Sequence, residues 1–260
     1  MGPTATGACV VAIIAAKDEA LRIVPTISAV RAIPGVELVI VVDDGSSDPT
    51  ARLAREAGAV VVSHSRNRGK AAAMATGARL AAERDITEPA RTGRARQLLF
   101  VDADLEGSAS SLDVLIAPVA SGEADMTIAI LPPQATPGSG HGFVVRLARG
   151  GIERLTGWTP TQPLSGMRCL TRDAFETASP LARGWGVEVG LTVDVLGAGL
   201  RVLEVPCALQ HRVSGGDWRG QVHRARQYRD VWLALAYRRL RVRRVGGLVR
   251  SRGRDERHAG

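Results

Sequence analysis

Cysteine is scarce: Cys9, Cys169 and Cys207 are the only three in 260 residues. An odd number at such wide spacing matches neither a disulfide framework nor a zinc site. A reduced, cytoplasmic protein is the expectation. Lysine is scarcer still. Lys17 and Lys70 are the only two among 34 basic residues, and all the others are arginine. Arginine used so freely is weak evidence at any one position, whereas a lysine stands out. No apolar run approaches the roughly 18–20 residues needed to span a bilayer. Met1 to Gly7 lacks the basic start and apolar core of a signal peptide. The turn after the first apolar run, Lys17-Asp18-Glu19, contains no glycine. The Gly-x-Gly-x-x-Gly of a dinucleotide-binding domain is therefore missing there, which argues against a dehydrogenase.

What charge there is sits at one end. The formal net charge is +8, but residues 237–260 hold nine arginines against Asp255 and Glu256, so +7 belongs to that tail and +1 to the rest. A nearly neutral body offers no basic groove, and no nucleic-acid partner is expected. The length suits one large α/β domain. Neither an internal repeat nor a domain-separating linker is apparent.

Along the chain, apolar runs alternate with helical periodicity. Strands are expected over 8–16, 37–44, 59–63, 98–104 and 125–131. Helices should follow them, ending near residues 32, 57, 84 and 120. Asp48-Pro49 reads as an N-cap and a first-turn proline. Residues 85–96 read as a polar surface loop. Strand–helix alternation of this kind means a doubly wound, mostly parallel sheet with helices on both faces. In the second half, residues 132–142 hold three prolines and three glycines, a breaker-rich loop more often functional than structural. Helices over 143–155, 186–196 and 218–240 and strands over 163–171 and 201–210 complete the reading.

The stretch Leu98-Leu99-Phe100-Val101-Asp102-Ala103-Asp104 carries the clearest chemistry. Four apolar residues run into two carboxylates spaced i, i+2, which a strand places on one face. Sites in open parallel sheets lie beyond the carboxyl ends of strands. Two carboxylates there repel unless a cation lies between them, and Mg²⁺ or Mn²⁺ fits, with a substrate phosphate as a further ligand. The plain alternative is that Asp104 caps the next helix and Asp102 is solvated.

Val41-Val42-Asp43-Asp44-Gly45-Ser46-Ser47-Asp48-Pro49-Thr50, followed by Asn67-Arg68-Gly69-Lys70 and Val101-Asp102-Ala103-Asp104, resembles the signature of family 2 glycosyltransferases. The resemblance covers about residues 8–131 and implies the GT-A fold with an Asp-x-Asp metal site. Gln162-Pro163-Leu164-Ser165-Gly166, then Gly184 to Leu191, then His211-Arg212, is similar to the bacterial glucosyl-3-phosphoglycerate synthases. His141 and Phe143 depart from that group's Gly-Arg-x-Thr acceptor loop. Ser165-Gly166-Met167-Arg168 is also similar to the Ser-Gly-Phe-Arg of polyprenyl-phosphate sugar synthases.

The resemblance implies a metal-dependent enzyme that moves a sugar from a nucleotide-sugar donor, UDP-glucose above all, to an anionic acceptor. That acceptor is a small phosphate-bearing acid or, alternatively, a polyprenyl phosphate served by UDP-glucose or GDP-mannose. Residues 8–131 would bind the donor and 132–217 the acceptor; 218–240 would be a helix closing a single domain over 1–240, and 241–260 a basic tail without order. Asp104 is the first metal ligand. Asp102 is the second, or it holds the ribose, and His211 is the third. Glu19 and Asp44 should meet base and ribose, and Lys70 the base or diphosphate. Glu188 would bind sugar hydroxyls or act as a base toward the acceptor. Gly140, His141, Phe143, Leu164, Ser165, Gly166 and Arg168 would form the acceptor side, with Arg146 and Arg149 nearby. The apolar stripe of the last helix reads as core; its basic continuation suggests a peripheral membrane contact, and a homodimer is a further expectation. The rival from another class is a membrane- or polyanion-binding module working through the tail.

Overall fold

The computed structural model describes residues 7–132, 142–209 and 225–241. Its elements in chain order are β1 (Val10–Ala16), α1 (Ile23–Arg31), β2 (Val36–Asp43), α2 (Thr50–Glu56), β3 (Val60–Ser63), α3 (Lys70–Thr87), β4 (Gln97–Asp102), a 3-10 helix (Glu106–Leu115), α4 (Ile116–Ala120) and β5 (Met126–Ile130). Next come α5 (Phe143–Thr156), β6 (Arg168–Leu170), α6 (Arg172–Thr177), a 3-10 turn (Gly184–Gly186), α7 (Val187–Gly197) and β7 (Val202–Pro206). A last helix, α8, covers residues 225–241.

The strands form one seven-stranded sheet in the order β3-β2-β1-β4-β6-β5-β7. β1 pairs in parallel with β2 and β4, β2 with β3, and β5 with β7. β6 alone runs antiparallel, between β4 and β5. Ile13 is level with Ile40 and Phe100, and all three are buried, because a central parallel strand has both faces covered. One face packs Val10, Ala12 and Ile14 against Ile23, Ile27 and Val30 of α1 and against Leu112 and Leu115. The other packs Val11, Ile13 and Ile40 against the small residues of α3 and against Val187, Leu191 and Val195 of α7. Small residues let α3 lie close: a Cβ at Gly77 would meet Ile13 Cγ2 at 2.4 Å.

Five expectations need correction. The strand expected over 163–171 shrinks to Arg168–Leu170, because Pro163 and Gly166 turn the preceding segment out of the ladder. The helix expected at 110 begins instead as a 3-10 segment at Glu106 and becomes α-helical only over Ile116–Ala120. The loop expected from residue 85 starts later. Asp85 to Thr87 stay in α3, and Asp85 bonds Arg96 Nη1 at 2.6 Å and Arg172 Nη2 at 2.8 Å. α6 was not expected. It is capped by Thr171, whose hydroxyl accepts from the Ala174 N–H at 3.2 Å. Finally, α2 takes Pro49 rather than Asp48 as its N-cap, although the Asp48 carboxylate accepts the Thr50 N–H at 3.0 Å.

α8 docks on α5 and α7 over a track of glycines. A Cβ at Gly186 would meet the Asp230 carbonyl oxygen at 2.6 Å, and one at Gly151 would meet Leu235 Cδ1 at 2.3 Å. Val231 and Leu235 join Val144, Ile152, Val189 and Val193 in a third core. Beside them the buried Arg238 guanidinium donates to Asp194 of α7, with Nε to Oδ2 at 3.0 Å. Removing one partner of a buried pair leaves the other charge uncompensated. Asp194→Ala should therefore destabilise the protein by about 3 kcal/mol, read from urea unfolding. A loss below about 1 kcal/mol would show that this pair does not hold α8.

Candidate active site

The parallel strands β1, β2 and β4 end at one edge, where their following loops meet. Ala16 is level with Asp43, and Ala15 with Asp102. The first two loops are laced together. Asp18, at φ +54°, accepts from the Ser47 N–H at 2.7 Å and from the Ser47 hydroxyl at 3.0 Å. The Asp48 carboxylate accepts the Ala20 N–H at 3.0 Å, and the Thr50 hydroxyl accepts the Glu19 N–H at 2.8 Å. The hydrogen bond from Lys17 and those from Ser47 hold the Asp18 carboxyl down at about 2.

Asp44 has a different task from the one expected of it. Rather than facing base and ribose, its carboxylate is 5% exposed and turned inward. Oδ1 accepts from the Arg68 N–H at 2.8 Å and lies 2.7 Å from His64 Nδ1; Oδ2 accepts the Gly69 N–H at 2.7 Å. His64 Nε2 lies 3.0 Å from the Thr76 hydroxyl. Asp44 thus fixes the loop that delivers Lys70 to the start of α3. Gly69 takes φ +87° there, a conformation glycine adopts without strain.

Lys70 Nζ donates to Asp102 Oδ1 at 2.7 Å and lies 3.2 Å from Glu188 Oε1. Glu188, in the first turn of α7, is buried, and buried carboxylates need a partner of this kind. Burial disfavours the Lys70 charge, but Asp102 and Glu188 outweigh it and hold its pKa above the usual lysine value. Gly166 closes over the group: a Cβ there would stand 2.2 Å from Lys70 Nζ and 3.2 Å from both Asp102 oxygens. A side chain at residue 166 would require the ammonium to move.

Gly166 is carried by a strapped loop. Arg149 donates to the Pro160 carbonyl at 2.9 Å and the Thr161 carbonyl at 2.8 Å. Glu204 of β7 accepts the N–H groups of Thr161 and Gln162, each at 2.8 Å, and the Gln162 side chain bonds both backbone groups of Leu131. Arg168 is fully buried and donates to the Ser165 carbonyl and the Thr192 hydroxyl, both at 2.9 Å. Burial pushes its pKa down to about 10, opposed by Glu188 and Glu204. Arg168 therefore does not face an acceptor, as the sequence suggested; it and Arg149 hold the loop from behind, because its carbonyls need donors. Leu164 packs with the α5–α7–α8 core. The Ser165 hydroxyl is buried and has no hydrogen-bond partner among the described residues.

Asp104 lies just past β4, in a turn clasped by one buried hydroxyl. Thr26 Oγ1 of α1 donates to the Ala103 carbonyl at 2.9 Å and accepts the Glu106 N–H at 2.8 Å. Glu106 sits at φ +49°. Glu19 faces the same region. Burial raises its carboxyl pKa; Arg22, 3.4 Å away, opposes this, and Asp104, Asp48 and Asp18 add to it. Phe143 heads α5, 77% exposed, with the Arg146 guanidinium 4.7 Å from its ring centroid.

The structure brings Lys70, Asp102, Glu188 and Gly166 together and sets Glu19 within the field of Asp104. Gly140, His141 and His211 lie outside the described residues. Among the described residues no three or more His, Cys, Asp or Glu cluster as a complete metal site. The donors at hand are the carboxylates of Asp102, ion-paired with Lys70, and of Asp104, near Glu19; such hard oxygens suit a cation that takes its other ligands from a phosphate and water. Sequence reasoning missed His64 and Thr26. Thr26 does leave a trace, as a polar residue within the buried stripe Ile23, Ile27, Val30.

Burial alone would raise the Asp44 pKa, but the bonds from His64, Arg68 and Gly69 more than offset it, and the net shift is downward. A depressed folded-state pKa adds stability above the unfolded value and loses it as pH falls through the folded one. Urea midpoints should accordingly drop as pH falls below about 4, and Asp44→Asn should flatten that acid limb while lowering stability at pH 7. An unchanged acid limb in Asp44→Asn would place the shift elsewhere.

Three similarities can now be set beside this geometry. The profile of the family described as "Glycosyl transferase family 2" matches residues 11–140, half of the chain. Glycosyltransferase AglJ of Haloferax volcanii is 31% identical over 207 residues, which are 77% of this chain and 62% of that protein. The chain thus spans less than two thirds of that relative's length. Glucosyl-3-phosphoglycerate synthase from Mycobacterium tuberculosis, crystallised with Mn²⁺, UDP and phosphoglyceric acid, superposes with a TM-score of 0.70 at 25% identity, covering 90% of this chain and 80% of that one. Its complex with phosphoglyceric acid alone gives 0.69 at 26%, covering 90% and 81%. The seven-stranded, mostly parallel sheet is the GT-A fold of these structures, and the chain belongs to glycosyltransferase family 2.

Proposed function

We propose that this chain transfers a hexosyl group from a nucleotide-sugar donor, UDP-glucose first, to a small phosphate-bearing acceptor, with Mg²⁺ or Mn²⁺ as cofactor. The observation that carries the reading is the Lys70–Asp102–Glu188 cluster, closed by Gly166 at the edge where β4 ends. The relatives support it, since the mycobacterial synthase takes UDP, Mn²⁺ and phosphoglyceric acid.

Residues 8–131 hold the donor and 132–217 the acceptor. Asp104, with Asp102, would hold the cation; His211 remains the candidate third ligand. When bound, the ion offsets the charge that grows on the diphosphate as the sugar leaves. Asp44 positions the Asn67–Lys70 loop, and the Lys70 ammonium adds positive charge beside the diphosphate. Glu19 accepts hydrogen bonds from base or ribose. Glu188, ion-paired with Lys70 at 3.2 Å, accepts hydrogen bonds from sugar hydroxyls. Ser165, whose buried hydroxyl has no hydrogen-bond partner among the described residues, is a further candidate contact for the same sugar. On the acceptor side Arg146, beside the amino end of α5, replaces Arg168 as the group for a phosphate.

One observation favours a polyprenyl phosphate instead. Phe143 is 77% exposed and gives the acceptor mouth an apolar edge. No helix among the described residues is long and apolar enough to cross a membrane, so such an acceptor would be met from one side.

Calorimetry of UDP binding tests the metal role. Affinity should fall at least about tenfold with EDTA, or in Asp104→Ala with Mn²⁺ present; equal affinity in all three would refute it. Labelled UDP-glucose offered with 3-phosphoglycerate, a polyprenyl phosphate or a neutral sugar separates the acceptors. Transfer to the neutral sugar above both anions would overturn the acceptor class.

A further inference from the structure

The inward face of α8 is core, through Val231, Ala234, Leu235 and Arg238. Its outward face is unusual. Tyr228 is 44% exposed, Trp232 52%, Leu233 50%, Tyr237 66% and Leu240 60%. A solvent-facing helix side is ordinarily polar, and scattered single apolar residues need no account. Here five share the outward half of a single helix, at spacings that make neighbours of Tyr228 and Trp232, of Leu233 and Tyr237, and of Tyr237 and Leu240. Arg226, Arg229, Arg239 and Arg241 are interleaved with them and exposed.

We infer that this outward face of α8 docks the protein on an anionic lipid bilayer, as a peripheral contact in the plane of the surface. Three features select that occupant. Trp and Tyr have an apolar body and a polar edge and favour the headgroup level, while Leu reaches the acyl boundary. Arginines among them match anionic headgroups and strengthen attachment to such a surface. The charge is also local: of the formal +8, +7 lies in residues 237–260, which start within α8. A second copy of the chain would set this face against its own arginines. A nucleic acid would leave the aliphatic Leu233 and Leu240 without partners.

The contact is separate from the donor and acceptor reading and does not depend on it. It does have a physical route to the site, because α8 is bonded through Arg238 to Asp194 of α7, the helix that carries Glu188.

The test uses the full chain and vesicles of phosphatidylcholine with or without about 30% phosphatidylglycerol, at physiological salt. Co-sedimentation should occur with the anionic vesicles only. Trp232→Ser/Leu233→Ser/Leu240→Ser, which alters exposed residues and keeps the tail, should weaken binding at least tenfold at unchanged melting temperature and UDP affinity. Brominated lipid should quench tryptophan emission in the native protein and lose that effect in Trp232→Phe. Equal binding by the triple variant would assign the contact to the tail alone and overturn the inference. So would absence of vesicle binding, or a concentration-dependent dimer that the triple variant abolishes. Retention on RNA in place of vesicles would overturn it as well.

Discussion

The Lys70 ammonium lies between Asp102 and Glu188, and segments remote in sequence depend on that position. Asp102 ends the central strand β4; Glu188 opens α7 in the other half of the chain. A carboxylate as buried as Glu188 needs a partner, and Lys70 is that partner. The cation is in turn placed by Asp44, through the amides of Arg68 and Gly69. From Glu188 the dependence runs on along α7 to Asp194 and α8. A first-half loop and a last helix are thus joined by charge pairs across the core.

The arginines show a second use of charge. Arg149 and Arg168 donate to carbonyls of the 160–166 loop, and Arg96 and Arg172 converge on Asp85. Each is a long side chain with a planar fork, able to reach several acceptors at once. A loop without regular structure has carbonyls to satisfy, and this chain satisfies them with guanidinium groups. Arginine count is thereby uncoupled from anion binding.

Much of the first half was legible because its signals are local. Apolar runs, helical periodicity and carboxylates at strand ends each need only a few consecutive residues, and β1 to β5 fall close to their expected limits. The second half was less legible, because pairing there is decided at long range. β6 is three residues long and has no periodicity to detect. Arg168 looked like a ligand from its neighbours in sequence, yet Thr192 and the turn of its own loop enclose it. Asp44 was visible as a carboxylate at a strand end, but its inward turn depends on His64, twenty residues away. The Thr26 clasp spans 77 residues and has no signature beyond a polar residue in an apolar stripe.

β6 runs against its neighbours, so the segment before it, rather than after it, reaches the edge where the parallel strands finish. Leu164 to Gly166 arrive at Lys70 for that reason. The same strand is paired over only three residues on either flank, between the block β3-β2-β1-β4 and the pair β5-β7. A sheet opens most readily where the fewest bonds hold it. This one is narrowest at β6, just after Gly166, so the placing of that glycine over the ammonium rests on the shortest pairing in the sheet.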